Sequence, residues 1–588
     1  MADIEIVGGQ YGMNIGNQQF TMRNINISKA IIGISQIWNW GWLYSGLSIS
    51  DCETAFSMIN GYLANKLEVG SVVIIDSEIT NCGRFVDMAW KRDSVPIGAG
   101  QLIIENVKLT NVPIAIMGSG ATVLQGGTLT IQAWGQGNKY SQNGPEKFQG
   151  PITTAARPQS LIENGKYYSK SKPQYENLGT GDFISARNAG ATGDGQTDDT
   201  KAVQDAITQS VAQNKVLFFE HGVYKVTQTV YIPPGARMVG ETFSIIMGSG
   251  SFWSDMNHPK PVVQVGRPGE SGRIEWSDMI VQTQGATPGA IVIQYNLNTQ
   301  RGSGLWDVHT RIGGAKGTFQ QVAQCPTYTT KPECMAAHTN VHVTKSANGA
   351  YFENNWFWVG CQGHGSSVFF SLIVPRLLTT TWTTGPARVC RYTPAAVSTS
   401  SHPMSSCGQT ASSTTHCINI RQAPATSYAL VLRLTVAAVQ FNGASNVFAG
   451  FLQTETPYYM PNPDAKSQPY GRSDAFSDPD YASACPAGIC DAYGLRVLNS
   501  KNVRIYGGGL YSFFKNYDVT CSSPDAPSGQ RDCQNQIFSI EGDSSVQAFA
   551  LSQVGALQML TIDREDKATW SDNLSVYSNT IGYITYRM

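Results

Sequence analysis

The amino-acid sequence predicts an all-β protein: two tandem right-handed parallel β-helices joined by a linker. Three observations lead to that expectation. With 588 residues the chain is longer than one compact core usually holds. Charged residues make up only 14% of it, against 59 glycines and 10% aromatics, a balance typical of strands and turns rather than solvated helices. Four early segments also repeat: Asn24-Ile-Asn-Ile-Ser-Lys-Ala30, Gly46-Leu-Ser-Ile-Ser-Asp-Cys52, Asp76-Ser-Glu-Ile-Thr-Asn-Cys82 and Asn106-Val-Lys-Leu-Thr-Asn-Val112, starting 22, 30 and 30 residues apart.

Each repeat opens on a turn former and carries an aliphatic residue three places on, with short apolar strands such as Val72 to Ile75 before the turn. Stacked rungs of parallel strands bury such positions against one another, and crossovers between parallel strands are right-handed. The first β-helix is therefore expected over residues 1–135. In it Cys52 and Cys82 fall at the same point of adjacent rungs, about 4.8 Å apart, as a disulfide or as a stack of thiols. Residues 136–180 lose the pattern to Gly, Pro, Lys, Ser and Tyr and read as the linker. The second β-helix is expected over 181–588. Its opening has an Asp cluster ahead of Ala202, Val203, Ala206 and Ile207, an apolar stripe on a helix capped by Thr197 or Asp198. Capping and the helix dipole explain those carboxylates better than a metal does. Further turns are expected at Asp278, Asp307, Asn354, Gly450 and Gly507, so that Arg311, Trp358, Glu455 and Tyr511, four or five places beyond, share one groove. A cation, aromatics and a carboxylate on one face suit a sugar, with rings as apolar platforms and polar groups reading hydroxyls.

With 41 basic and 42 acidic side chains the net charge is −1, which gives no global field toward nucleic acid or anionic lipid; a neutral substrate fits. Apolar runs of about 20 residues are absent, and the stretch Tyr428 to Phe441 is short and carries Arg433, so no membrane span is expected. Three cysteine pairs lie at loop-closing distance, Cys325 with Cys334, Cys485 with Cys490 and Cys521 with Cys533, which fits an oxidising compartment. There is no Cys-x-x-Cys pair and histidines number only eight, so no metal and no cofactor is expected. A monomer is expected.

Longer strings are more specific. Asn188 to Thr200 resembles the opening of pectate-lyase-like β-helices. Gly304-Leu-Trp-Asp-Val-His-Thr-Arg-Ile-Gly-Gly314, Tyr351-Phe-Glu-Asn-Asn-Trp-Phe-Trp358 and Gln453-Thr-Glu-Thr-Pro-Tyr-Tyr459 resemble the fungal glycoside hydrolases of family 55. The resemblance spans nearly all of the chain outside 361–440. It implies a secreted exo-β-1,3-glucanase that releases glucose from the non-reducing end of laminarin-type glucan with inversion and without metal. It implies that Glu455 is the general acid, with Tyr458 and Tyr459 as the wall that raises its pKa and touches the sugar. Gln453, Arg311, His309, Asp307 and Gln294 become expected lining residues. Met1-Ala-Asp-Ile-Glu-Ile opens like a strand with no export signal, so the resemblance also implies a start inside the first β-helix.

One stretch departs from the family. An inverting glycosidase needs a second group, commonly a carboxylate about 6.5–9.5 Å from the acid, to position water. The resemblance puts one about two dozen residues before Glu455, yet residues 361–440 contain no Asp, Glu or Lys and 23 Ser or Thr. Permitted codons for Cys390 to Ser401 and Ser412 to Ile420, read two nucleotides later, give SIYAGRGLYIE and EHHTLYQY, both similar to the family's missing segment. Residues 390–420 are therefore expected to be an out-of-frame translation flanked by retained introns, with a water-positioning glutamate lost and activity at risk. Two other classes compete: a polysaccharide lyase, which needs a calcium-binding carboxylate cluster, and a non-catalytic glucan-binding or adhesin-like coil.

Overall fold

Columns of left-handed turn residues shape the first coil. Asn24, Gly46, Asp76 and Asn106 adopt φ of 53°, 72°, 55° and 55°, a conformation that Gly, Asn and Asp tolerate best. Three places on, Ile27, Ile49, Ile79 and Leu109 stack in parallel register and are at most 2% exposed. Burying each contributes about 1.5–3 kcal/mol. The computed structural model describes residues 1–588 apart from 60–66, 97, 142–143, 300, 327–330, 360–368, 371–416, 421–429, 434–436, 468–470, 485–487, 489, 524–525 and 573–579.

The strands Ala2–Val7, Gln19–Ser28, Gly41–Ser50, Ser71–Thr80 and the start of Gln101–Gly118 form one parallel stack. Tyr11–Gly16, Ile32–Trp38, Thr54–Met58, Arg84–Met88 and the end of Gln101–Gly118 form the next. At the corner between them Asn81 donates to Asp51 and Asn111 to Asn81, at 3.2 and 3.0 Å. Cys52 and Cys82 follow that corner as buried free thiols, so of the two expected arrangements the structure has the stack and not the disulfide. The strand Ala121–Ser141 then turns back antiparallel over Gln101–Gly118 and closes the coil, running past residue 135 into a hairpin with Gly144–Pro151.

Residues 152–182 lie between the two coils. Leu161, Tyr167 and Tyr168 share one apolar cluster with Leu43, Val73, Ile75 and Ile103 of the first coil and with Trp306, Phe448, Tyr506 and Phe549 of the second. Ion pairs fix the same segment on both sides: Arg157 to Asp76 and Glu105, Lys172 to Asp278 and Asp307. The expected linker is thus an ordered strap, with a short hairpin of Ile162–Glu163 and Lys166–Tyr167 inside it.

The second coil is capped by the helix Thr200–Ala212, whose Val203, Ala206 and Ile207 pack on Leu217, Phe219 and Val230. Asp199 stands at the N-cap, one or two residues after the expected position, and its carboxylate accepts from Thr192 N and Gly193 N while Asp198 accepts from Thr200 N. Arg237–Ser249, Glu275–Gln284 and Gly304–Ile312 then stack in parallel, as do Ser445–Glu455, Lys501–Tyr511 and Val546–Val554. A second sheet runs through Lys260–Val265, Ala290–Tyr295, Thr339–Val343, Ala437–Asn442 and Tyr493–Leu498. Between the two halves, Phe369–Phe370, Cys417–Ile420 and Leu430–Arg433 run antiparallel to their neighbours. Direction reverses inside the stretch whose composition breaks the pattern; most of 390–420 itself lies outside the described residues. Tyr583 and Ile584, near the end of the chain, pair with Lys139 and Tyr140 and join the coils through one sheet.

Disulfides join Cys325 to Cys334 and Cys521 to Cys533; Cys485 lies outside the described residues. Among the described residues no cluster of three or more metal-binding side chains is present, and no helix is long and apolar enough to cross a membrane.

Candidate active site

Register decides which side chains share the groove. Asp278, Asp307, Asn354, Phe451 and Gly507 hold positive φ at one column of turns, so the turn expected at Gly450 falls on its neighbour Phe451. With that one-residue correction Arg311, Trp358, Glu455 and Tyr511 all stand four places past a turn. Arg311 pairs with Trp358 and Glu455 with Tyr511. Strand alternation sends Leu452 inward to the core and turns Gln453 and Glu455 outward.

Glu455 sits at the end of its strand. The Tyr458 hydroxyl donates to its Oε2 at 2.5 Å and the Gln453 amide to its Oε1 at 3.4 Å. Burial pushes the carboxyl above its usual range, and these two donors pull it back only in part. A carboxyl whose charged form burial disfavours, on a partly exposed face, is suited to protonating a leaving oxygen. The Tyr458 ring in turn packs on Phe514, centroids 3.8 Å apart.

The first coil reaches this group. Gln19 donates through Nε2 to Gln453 Oε1, and its own Oε1 accepts from the Tyr511 hydroxyl at 2.7 Å. Trp40 meets the edge of Tyr511 at 5.7 Å. No local signal marks Gln19, because its partner is 434 residues away.

On the other side of the acid, Trp358 lies under the Arg311 guanidinium at 4.3 Å and stacks on Trp356 at 5.0 Å and 22°. Trp356, 37% exposed, is two places past the Asn354 turn and was legible from that spacing, though only Trp358 was expected here. His309 Nδ1 accepts from Trp356 N at 3.0 Å and so fixes the indole's base.

Four expected lining residues stand elsewhere. Tyr459 is 1% exposed and packs with Met460, Tyr481 and Tyr493 beneath the loop. Tyr511 is fully buried, so it holds Gln19 rather than offering a ring to sugar. Asp307 is the turn residue itself: it faces Lys172 of the strap at 2.8 Å, and burial pushes its carboxyl up to about 6 against the pull of Lys172. Gln294 belongs to the second sheet, where Gln264 donates to it at 3.2 Å.

Comparison with known proteins agrees with this architecture. A family model for rhamnogalacturonase A/epimerase, pectate lyase-like, matches residues 1–57 and 183–368. A glucan 1,3-β-glucosidase of Cochliobolus carbonum is 62% identical over the whole of this chain and 70% of its own length. A probable glucan endo-1,3-β-glucosidase of Arthroderma benhamiae is 30% identical over 99% of this chain and 73% of its own, and a glucan endo-1,3-β-glucosidase of Trichoderma harzianum 27% over 95% and 67%. The chain belongs to the β-1,3-glucanases of glycoside hydrolase family 55, on a pectate-lyase-like parallel β-helix fold.

Proposed function

We propose that this chain hydrolyses β-1,3-glucan, with Glu455 delivering the proton to the leaving glycosidic oxygen. The observation that carries the reading is the Glu455 carboxyl at the end of its strand, raised by burial and clasped by Tyr458 and Gln453. The names of the relatives support the substrate class. The finer reading is release of glucose from the non-reducing end with inversion, outside the cell. In that mechanism water adds to the anomeric carbon from the face opposite the leaving group, and a second group takes its proton. The donors to Glu455 are one amide and one phenol, and the water-positioning glutamate is the residue expected to be lost from this chain at 390–420, most of which lies outside the described residues.

Glucose release from laminarin tests this directly. Glu455→Gln should lower kcat by about 10²–10⁴, the usual worth of a general acid, and unchanged turnover would end the assignment. Proton NMR of the first product decides stereochemistry: α-glucose signals inversion. A chain carrying the in-frame translation of 361–440 should exceed the present one; equal rates would show that the missing glutamate is dispensable.

A further inference from the structure

We propose that Trp356 is a chain-length-selecting platform of the groove, taking the face of a β-1,3-linked glucosyl unit remote from the bond that Glu455 cleaves. This rests on the β-1,3-glucan reading above and adds to it a subsite and a specificity.

The argument is one of columns. Four places past each turn, Arg311, Trp358 and Glu455 make one row, and two places past the Asn354 turn Trp356 stands beside His309, to which its backbone N donates. Trp358 pairs with Phe369, and Phe369 with Glu455, so two strand spacings separate the Trp pair from the acid. At about 4.8 Å each that is roughly 10 Å, too far for one sugar ring to touch both. A ring on Trp356 is therefore a different unit from the one whose bond breaks.

Trp356 is also built to stay in place. Its backbone N donates to His309 Nδ1 at 3.0 Å, and its carbonyl accepts from Thr310 N at 2.9 Å. One face of the indole is covered by Trp358, itself backed by Arg311. A rigid indole offers a flat apolar area at little entropic cost, which suits the C–H face of a pyranose, while Arg311 stands in the neighbouring row with donors for hydroxyls.

Binding energy from a remote unit appears only when the substrate is long enough to reach it. Trp356→Ala should therefore raise KM for laminarihexaose at least tenfold, leave kcat and KM for laminaribiose within twofold, and leave the pH profile unmoved. Trp356→Tyr should restore most of the loss, which a merely structural indole would not show. Calorimetry of laminarihexaose on Glu455→Gln, with and without Trp356→Ala, reads the platform independently of turnover. Loss of binding in the double variant, even if the wild-type chain turns out to have no hydrolase activity, keeps the platform and removes only the catalytic reading. Equal affinity with and without Trp356, or an equal KM rise on laminaribiose, overturns the proposal.

Discussion

Arg157→Met should loosen the strap from the first coil at a calculable cost. Arg157 reaches Glu105 through Nε and Asp76 through Nη1, both at 2.6 Å, and lies 4.2 Å over the Tyr167 ring. Asp76 and Glu105 are 2% and 3% exposed. Removing the cation leaves two carboxylates in the seam. Breaking a buried pair costs about 3–5 kcal/mol. The lower end applies here, since Asp76 keeps Tyr167 N at 2.8 Å and Asn106 Nδ2 at 2.6 Å, and Glu105 keeps the Tyr506 hydroxyl at 2.7 Å. The lost cation–π contact adds about 1 kcal/mol. The sum, about 4 kcal/mol, is a large part of the 5–15 kcal/mol that ordinarily holds a protein folded. Urea unfolding at constant pH measures it. The triple variant Arg157→Met, Asp76→Asn, Glu105→Gln removes the uncompensated charge as well and should recover most of the loss. A loss under about 1 kcal/mol in the single variant, or no recovery in the triple, would refute the ionic account of the seam.

Two further outcomes follow from titrating groups. Tyr458→Phe deletes a donor to the charged form of Glu455, so its carboxyl rises further and the alkaline limb of the kcat profile should move to higher pH; a limb that falls or stays would contradict that bond. For Asp307, burial raises the folded-state value to about 6 against an ordinary carboxylate in the unfolded chain, so this group's contribution to stability grows as pH falls from 6 toward 4 and is a penalty above 6. Asp307→Asn, in which Lys172 keeps Asp278 at 2.8 Å, should be at least as stable as wild type at pH 7.5 and lose that advantage by pH 4, by thermal unfolding at both pH values.

What the sequence disclosed follows from how local each signal is. The coil was legible because Asn24, Gly46, Asp76 and Asn106 are residue types that a left-handed turn selects, with Ile27, Ile49, Ile79 and Leu109 keeping step. The same rule misplaced one turn, since Phe451 at φ 58° is a residue that no propensity assigns there. Past Glu455 the strand ends and periodicity with it, so nothing separates Tyr458, which reaches the acid, from Tyr459, which is buried beneath the loop. Gln294 shares its strand pattern with groove residues but belongs to the other sheet. Contacts between coils, Gln19 with Gln453 above all, have no period to read.

That last contact makes the acid's strength depend on the first coil. The Tyr511 hydroxyl donates to Gln19 Oε1, which leaves Gln19 Nε2 to donate to Gln453 Oε1; Gln453 must then turn its own Nε2 toward Glu455. A donor facing a carboxylate favours the charged form. With Gln19→Leu, the Gln453 amide is released to turn its oxygen toward Glu455, where it accepts a hydrogen bond from the protonated carboxyl. The neutral acid gains an acceptor while the charged one keeps access to the amide N–H, so the alkaline limb of laminarin hydrolysis should move up, in the same direction as in Tyr458→Phe. Tyr511→Phe should do so less, because Gln19 stays in place and loses only the bond that orients it. The profiles of all three variants, measured on folded protein with unchanged circular dichroism, test the order. A Gln19→Leu enzyme whose limb coincides with wild type would show that the first coil holds Gln453 without setting its orientation.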